Sequence, residues 1–327
     1  VREFGYRRAP DVATALALAG NGARYLAGGT NLVDLMKLGV ETPSLLVDVT
    51  RLPLDEVEVT GDGGLLIGAM VRNSDLAVHP QVRRRYPAVT QAILSGASGQ
   101  LRNMATVGGN LLQRTRCPYF ADVTKPCNKR APGTGCPART GEHHNLAILG
   151  ASEHCIATNP SDLGVTLAAF DAVVHVQEAA GPRTIPLRDF HRLPGDTPDR
   201  EVTMAAGALI TGVGLPALPI AAGSRYRKVR DRASYAFATA SIAAAVDVAD
   251  GRVRDVRIGL GAVAPVPWRA HRAEEALRGG PATADAFAAA ADAELAQARP
   301  LRDNAYKVEL TRNLIVSELT ELAGVAP

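Results

Sequence analysis

Four cysteines, Cys117, Cys127, Cys136 and Cys155, are the residues of this 327-residue chain best equipped for chemistry. They fall in one stretch, with nine, eight and eighteen residues between successive members. Clustered thiols bind metal or each other, and three arrangements are open. Four thiolates with no fifth match the ligand set of a [4Fe–4S] cluster. A four-thiolate zinc site matches the count, but zinc cysteines usually pair with only about two to four residues between them. Two disulfides require an oxidising compartment. His143 and His144 could serve zinc, although adjacent histidines in a polar stretch read as exposed loop. Between Arg114 and Arg139 the basic residues Arg114, Arg116, Lys125, Lys129, Arg130 and Arg139 face a single acid, Asp122. Each reads singly as a solvated charge. As a group they would balance a thiolate-bound cluster and raise its reduction potential.

Two further motifs pair glycines with small polar residues: Ala27-Gly28-Gly29-Thr30-Asn31-Leu32, following Leu26, and Ala105-Thr106-Val107-Gly108-Gly109-Asn110. Paired glycines let backbone approach a ligand with no Cβ in the way. Successive N–H groups in such a turn form an anion-binding concavity. The first motif also opens a predicted helix, whose N-terminus favours phosphate. Either Gly-Gly alone reads as a tight turn; the two together, each flanked by Thr and Asn, point to a dinucleotide. Gly259-Leu260-Gly261-Ala262-Val263-Ala264 matches a nicotinamide-dinucleotide fingerprint, but Pro265 and Pro267 follow at once. No helix can start there, so the segment reads as a strand end and turn. Taken singly, Asp162 is an acid at a helix start, Lys228 a surface strand lysine, Ile210 an apolar strand position, Arg102 a carboxylate partner and Trp268 a packing residue. No Ser-His-Asp elbow or pair of catalytic carboxylates suggests hydrolysis.

These groups need elements to position them. Asp11 to Leu18, behind Pro10, predicts a helix stopped by Gly20, Asn21 and Gly22. A strand over 24–27 runs into Gly28-Gly29, followed by a helix over 31–38 and a strand over 44–49, the size of one βαβ unit. Strands over 57–60 and 65–69 and helices over 75–82 and 88–94 come next. The span 96–113, rich in Gly, Ser, Asn and Thr, reads as functional backbone. From Arg114 to Glu153 no period is visible, and a loop of about 40 residues needs something to order it; the four cysteines are the evident device. A helix over 162–170 and strands over 172–177 and 208–215 precede a linker at 216–223. A strand over 226–229, an Ala-rich helix or strand over 236–246, a strand over 253–263 and helices over 284–298 and 304–322 form a separate α+β domain. No internal repeat is present.

Apolar residues make up 46% of the chain and net charge is only +3. No basic stripe or stacking platform suggests a nucleic-acid partner, no apolar run reaches the roughly 18 residues of a membrane span, and the N-terminal residues lack the apolar stretch of a secretory signal.

The Ala27–Leu32 motif, the run Arg102-Asn103-Met104-Ala105-Thr106-Val107-Gly108-Gly109-Asn110 and the pair Ser161-Asp162 resemble the FAD-binding medium subunit of molybdenum hydroxylases, the xanthine oxidase family. Cys117-Pro118-Tyr119-Phe120, Cys127-Asn128-Lys129-Arg130, Cys136, and Ile148-Leu149-Gly150-Ala151-Ser152-Glu153 with Cys155 are similar to the flavin subunit of three-subunit bacterial aldehyde oxidoreductases. The resemblance spans nearly the whole chain. It implies an α+β protein with a two-subdomain FAD-binding fold of the vanillyl-alcohol oxidase/p-cresol methylhydroxylase type at 1–216. Its subdomains would cover about 1–55 and 56–216, with a cluster loop at 114–155, and a C-terminal domain of antiparallel sheet and helices would follow at 223–327. Leu26 and Ala27 to Leu32 would wrap the FAD pyrophosphate, and Thr106, Gly108, Gly109 and Asn110 the phosphates and flavin side. Ser161 and Asp162 would meet ribose or ribityl hydroxyls, Ile210 would press on the flavin ring and Lys228 would lie near its polar edge. The four cysteines would hold a [4Fe–4S] cluster. The implied partners are a large subunit with molybdopterin cytosine dinucleotide, a small subunit with [2Fe–2S] clusters, in a heterotrimer or its dimer, and an external electron acceptor. The competing readings are a self-contained FAD oxidase and a zinc-stapled scaffold without flavin. The expected compartment is the cytoplasm, or the periplasm if a partner with a twin-arginine signal carries the complex.

Overall fold

A computed structural model describes residues 1–20 and 22–325; Asn21, one of the three residues expected to stop the first helix, lies outside them. The chain begins with a parallel sheet of β1 (Gly5–Arg8), β2 (Ala23–Leu26) and β3 (Leu45–Asp48), ordered β1-β3-β2 and connected through α1 (Val12–Leu18) and α2 (Leu32–Lys37). The helix α1 starts because Asp11 caps it, Oδ1 accepting from the Thr14 N–H at 2.7 Å. The β2-α2-β3 unit is parallel, as its length suggests. Strand β1 was not expected from sequence: all four of its residues are exposed, so no alternation marks it. Its ladder to β3 holds it, together with Asp48, which accepts from Tyr6 and Arg8.

The second sheet is antiparallel. It contains β4 (Val57–Val59), β5 (Leu65–Gly68), β6 (Val173–Glu178), β7 (Gly181–Pro186) and β8 (Leu209–Leu215) in the order β4-β5-β8-β6-β7. Between β5 and β6 the chain forms α3 (Asn73–Val78), α4 (Pro80–Arg85), α5 (Pro87–Ser95), α6 (Gly99–Arg102), α7 (Val107–Leu111), α8 (Pro118–Ala121) and α9 (Asp162–Ala169); α10 (Leu187–Phe190) follows β7. The single helix expected over 75–82 is two, because Pro80 has no N–H to continue α3 and instead occupies the first turn of α4. The unexpected β7 is a mostly exposed edge strand with Pro182 and Pro186, where a missing donor does no harm.

The third sheet holds β9 (Arg225–Val229), β10 (Ala240–Ala249), β11 (Arg252–Gly261) and β12 (Trp268–Arg269), ordered β12-β11-β10-β9. It packs with α11 (His271–Leu277), α12 (Ala284–Leu295) and α13 (Tyr306–Ala323). The Ala-rich segment resolves as strand, since β10 is paired on both sides and buried from Ala240 to Ala245. Asp250 and Gly251, at φ +50° and +69°, turn it into β11. The fingerprint-like Gly259 is a packing glycine: an ideal Cβ there would stand 2.4 Å from Val165 O, so α9 lies on β11 only because that side chain is missing.

Candidate functional site

The two glycine motifs meet in space. An ideal Cβ on Gly28 would lie 1.8 Å from Met104 O and 3.1 Å from Ala105 Cα, so the turns touch backbone to backbone only because residue 28 is glycine. Gly29 takes φ +72°, the left-handed conformation that L side chains avoid. Both turns line a cavity of about 1000 Å³, at the top of the range of about 300–1,000 Å³ typical of ligand sites. All three sheet units contribute to its wall: Ala27 to Leu35 from the first, Asn73, Ile93, Thr106 and Asn110 from the second, and Lys228, Tyr235 and Phe237 from the third.

The site residues expected from sequence do not all reach this cavity. Ala27, Gly28, Gly29, Thr30, Asn31 and Leu32 line it, as do Thr106, Gly108, Gly109, Asn110, Asp162, Ile210 and Lys228; Leu26 and Ser161 do not. Asn31 does not cap α2. Its Oδ1 accepts from the Arg114 N–H at 2.9 Å, leaving the first-turn amides of α2 without a side-chain acceptor and its own Nδ2 buried without a partner. Across the wall Asn73 Oδ1 is also buried and unpartnered. Orphaned donors and acceptors of this kind call for a polar ligand or water.

Thr106 and Ser161 are helix caps, accepting from Gly109 N–H at 3.3 Å and Gly164 N–H at 2.8 Å. Ser161 Oγ donates to Asn110 Oδ1 at 2.6 Å, fixing the amide so that Nδ2 is the free end. Lys228 is no surface lysine. Its side chain is 3% exposed and its ammonium lies 2.8 Å from Asp162 Oδ2. The other oxygen, Oδ1, accepts from Tyr226 OH at 2.5 Å. Burial, then the Asp162 charge, hold the Tyr226 phenol well above its ordinary value, so it remains a donor. Asp162 thus satisfies Lys228 and Tyr226 first, and the positive charge of Lys228 is balanced within the protein. Among the described residues Arg102 meets no carboxylate; its guanidinium donates to Gly96 O at 2.6 Å and shapes the cavity rim. Trp268 is half-buried and donates to Glu294.

The four cysteines ring a small pocket of their own, lined also by Phe120, Asn128, Lys129 and Ile156. None forms a disulfide. Among the described residues no set of three or more His, Cys, Asp or Glu side chains could hold a single metal ion. Burial pushes the Cys117 thiol up to about 11 and raises Cys136 and Cys155, the last partly offset by the nearby Lys129 charge. A metal would have to displace those protons.

Order in this loop does not come from the cysteines alone. Asn128 joins the cysteine segments, its N–H donating to Gly135 O, its Oδ1 accepting from Gly135 N–H and its Nδ2 donating to His154 O. Arg130 donates to Tyr119 O, Phe120 O and Lys125 O, closing the C-terminal end of α8. His143 is buried rather than exposed, with Nδ1 against Ala138 O and Nε2 accepting from Asp303 N–H; His144 is exposed and stacks on Tyr306.

The basic excess of the loop is also answered from elsewhere. Glu201 binds Lys129 at 2.9 Å and Arg114 at 2.6 Å, Glu41 binds Arg114 at 2.7 Å, Asp34 lies near Arg116 and Glu153 pairs Arg139. Burial favours protonation of Glu201, but Lys129 and Arg114 outweigh it and hold its carboxyl below the usual range. Sequence reasoning missed Glu201, Asn73, Tyr226, Tyr235 and Phe237. Only Tyr226 carried a signal: two residues before Lys228 on one strand, it must share that residue's face.

Comparison with known proteins gives a consistent likeness. Residues 2–218 match the family described as the FAD binding domain in molybdopterin dehydrogenase, and residues 224–322 the CO dehydrogenase flavoprotein C-terminal domain. The chain is 49% identical over 329 residues to the FAD-binding subunit of an aldehyde oxidoreductase from Escherichia coli (strain K12), covering 100% of both chains. It is 27% identical over 327 residues to the glyceraldehyde dehydrogenase medium chain of Sulfolobus acidocaldarius, covering 98% of this chain and 99% of that one. Among solved structures it superposes on carbon monoxide dehydrogenase from Hydrogenophaga pseudoflava with a TM-score of 0.78 at 27% identity, covering 99% of this chain and 98% of that one.

Proposed function

This chain belongs to the FAD-binding medium subunits of the molybdenum hydroxylase family, and from that premise we propose that it seats FAD in the cavity beneath its two glycine turns. There it relays electrons from a molybdenum subunit and a [2Fe–2S] subunit to an external acceptor. As a component of an oxidoreductase it makes no bond to the aldehyde itself. One observation carries the reading: two glycine turns distant in sequence are pressed together in a cavity of about 1000 Å³ that presents buried, unpartnered amide atoms of Asn31 and Asn73.

Bound FAD supplies the two-electron chemistry, and the protein supplies binding, orientation and electrostatics. The uncapped first turn of α2 and the Asn31 amide hold the diphosphate. Asn110, fixed by Ser161, offers its Nδ2 to the same ligand. Ile210 supplies an apolar face for the ring. Lys228 presents a positive charge to the ring's polar edge, moderated by Asp162. This arrangement fits a two-subdomain fold of the vanillyl-alcohol oxidase type over 1–216 and a C-terminal domain over 223–327.

The cysteine loop is read as the seat of a [4Fe–4S] cluster. Four thiols around one pocket, with nine, eight and eighteen residues between them along the chain, match the ligand count of an iron–sulfur cluster better than the close-paired cysteines of zinc sites. The large partner would carry molybdopterin cytosine dinucleotide, in a heterotrimer or its dimer.

The test is the complex purified anaerobically with its natural partners. FAD at about one per chain and iron at about four per chain beyond the [2Fe–2S] content are expected. Zinc in place of iron would remove the cluster reading, and flavin reduction by aldehyde in the isolated chain would make it a self-contained oxidase.

A further inference from the structure

A second cavity, of about 330 Å³, lies behind the first, between the cysteine loop and the start of β10. The two share Arg116, Pro160, Asp162, Ala236 and Phe237 as walls. The second has its own chemistry. Ser241 is 1% exposed and its hydroxyl, beside the Tyr226 phenol, has no well-formed hydrogen bond. Arg116 Nε is also buried without a partner, while its guanidinium stacks 4.8 Å over the Phe237 ring. Thr239, 6% exposed, reaches only a long 3.5 Å contact to Asp231. Three donors therefore border one small space with little to donate to, and buried donors left in that condition are costly.

The ligand that satisfies them carries acceptor oxygens. It is not an anion: Asp162 is already paired with Lys228, but Glu142 and Asp231 stand in the same wall as Arg116, and their like charges would oppose one. A neutral molecule with carbonyl oxygens fits, and a planar one can lie against the stacked Arg116 and Phe237 side chains.

We propose that this second cavity is a binding site for a small quinone, placed beside the FAD cavity so that Ser241, Thr239 and Arg116 hold its carbonyl oxygens. The inference rests on the FAD reading above. Two electrons and two protons convert such a quinone to its quinol, and reduced FAD in the adjoining cavity carries both.

The test uses the purified complex with its partners and equilibrium dialysis of duroquinone, which has no free ring position for thiols to attack. Flavin content is measured on each sample first. Ser241→Ala removes one donor and is expected to weaken duroquinone binding about tenfold, the loss of one buried hydrogen bond. Thr158→Phe, which fills the cavity from a residue outside the FAD cavity wall, is expected to abolish binding with flavin content unchanged. Full flavin content with no binding by the unaltered complex, or with equal binding by both variants, overturns the quinone site and leaves the FAD reading standing. An unaltered complex without flavin overturns the FAD reading and the quinone site with it.

Discussion

At the residue scale, charge is settled by partners remote in sequence. The cysteine loop looks strongly basic when read alone, with six Lys or Arg residues against Asp122. In the fold Lys129 and Arg114 both meet Glu201, and Arg114 also meets Glu41. On the cluster reading, the Lys129 charge beside Cys155 is therefore moderated by Glu201. Replacing Glu201 by Gln leaves Lys129 uncompensated beside Cys155. On that reading the cluster potential should rise, and the loop should lose roughly 1–3 kcal/mol of stability through the weakened contacts. Potentiometric titration and denaturation of the purified complex read both. A potential that stays put would show that Lys129 does not act on the cluster. The same logic revises Lys228, whose burial against Asp162 makes it a paired charge and not a free one.

At the element scale, the cofactor cavity depends on how closely two turns approach. Gly28 is the contact point, since a methyl group there would overlap Met104 O. Gly28→Ala should push the Ala27–Leu32 turn off the second motif and empty the complex of flavin. The cores of the second and third sheets, which lie elsewhere, should be little affected. Flavin release at unchanged circular dichroism is the expected pair of results; retention of full flavin would show that the turns can separate without harm to the site. The glycine motifs were legible in sequence because the demand they meet is local: no side chain, and an N–H run at a helix start. The helix break at Pro80 and the edge strand β7 were less so. A proline breaks a helix only if the chain on both sides is helical, and β7 is mostly exposed, so it carries no alternation to read.

At the scale of the whole molecule, the cysteine loop is docked on the C-terminal domain. Lys307, fully buried, donates to Asn145 O, Leu146 O and Ala262 O, and Asn304 Nδ2 donates to Leu146 O and Ala147 O. Burial alone draws the Lys307 ammonium down to about 7, and the three carbonyls oppose that by solvating the charged form. Lys307→Met keeps the packing and strands Asn145 O and Ala262 O, while Leu146 O keeps its bond from Asn304, at a cost of about 1–3 kcal/mol for each buried group left unsatisfied. Amide exchange should quicken across 143–147 and iron content should fall, while flavin, bound elsewhere, is retained. Unaltered exchange there would mean that the hydrophobic contacts of the loop suffice to hold it.

The sequence by itself determined which residues are thiols, which turns lack side chains, the β2-α2-β3 unit around the first of those turns and, through resemblance, the family. Those properties are local or carried by motif, so they survive reading one residue at a time. Only the tertiary structure decided that the two glycine turns touch, that Asp162, Tyr226 and Lys228 form one buried group, that Leu26 and Ser161 stand off the cofactor cavity, and that Glu41 and Glu201, distant in sequence, pair Arg114 and Lys129. Each of these is a meeting between residues distant in sequence, and its energy comes from burial and pairing, which exist only once the three sheets have packed.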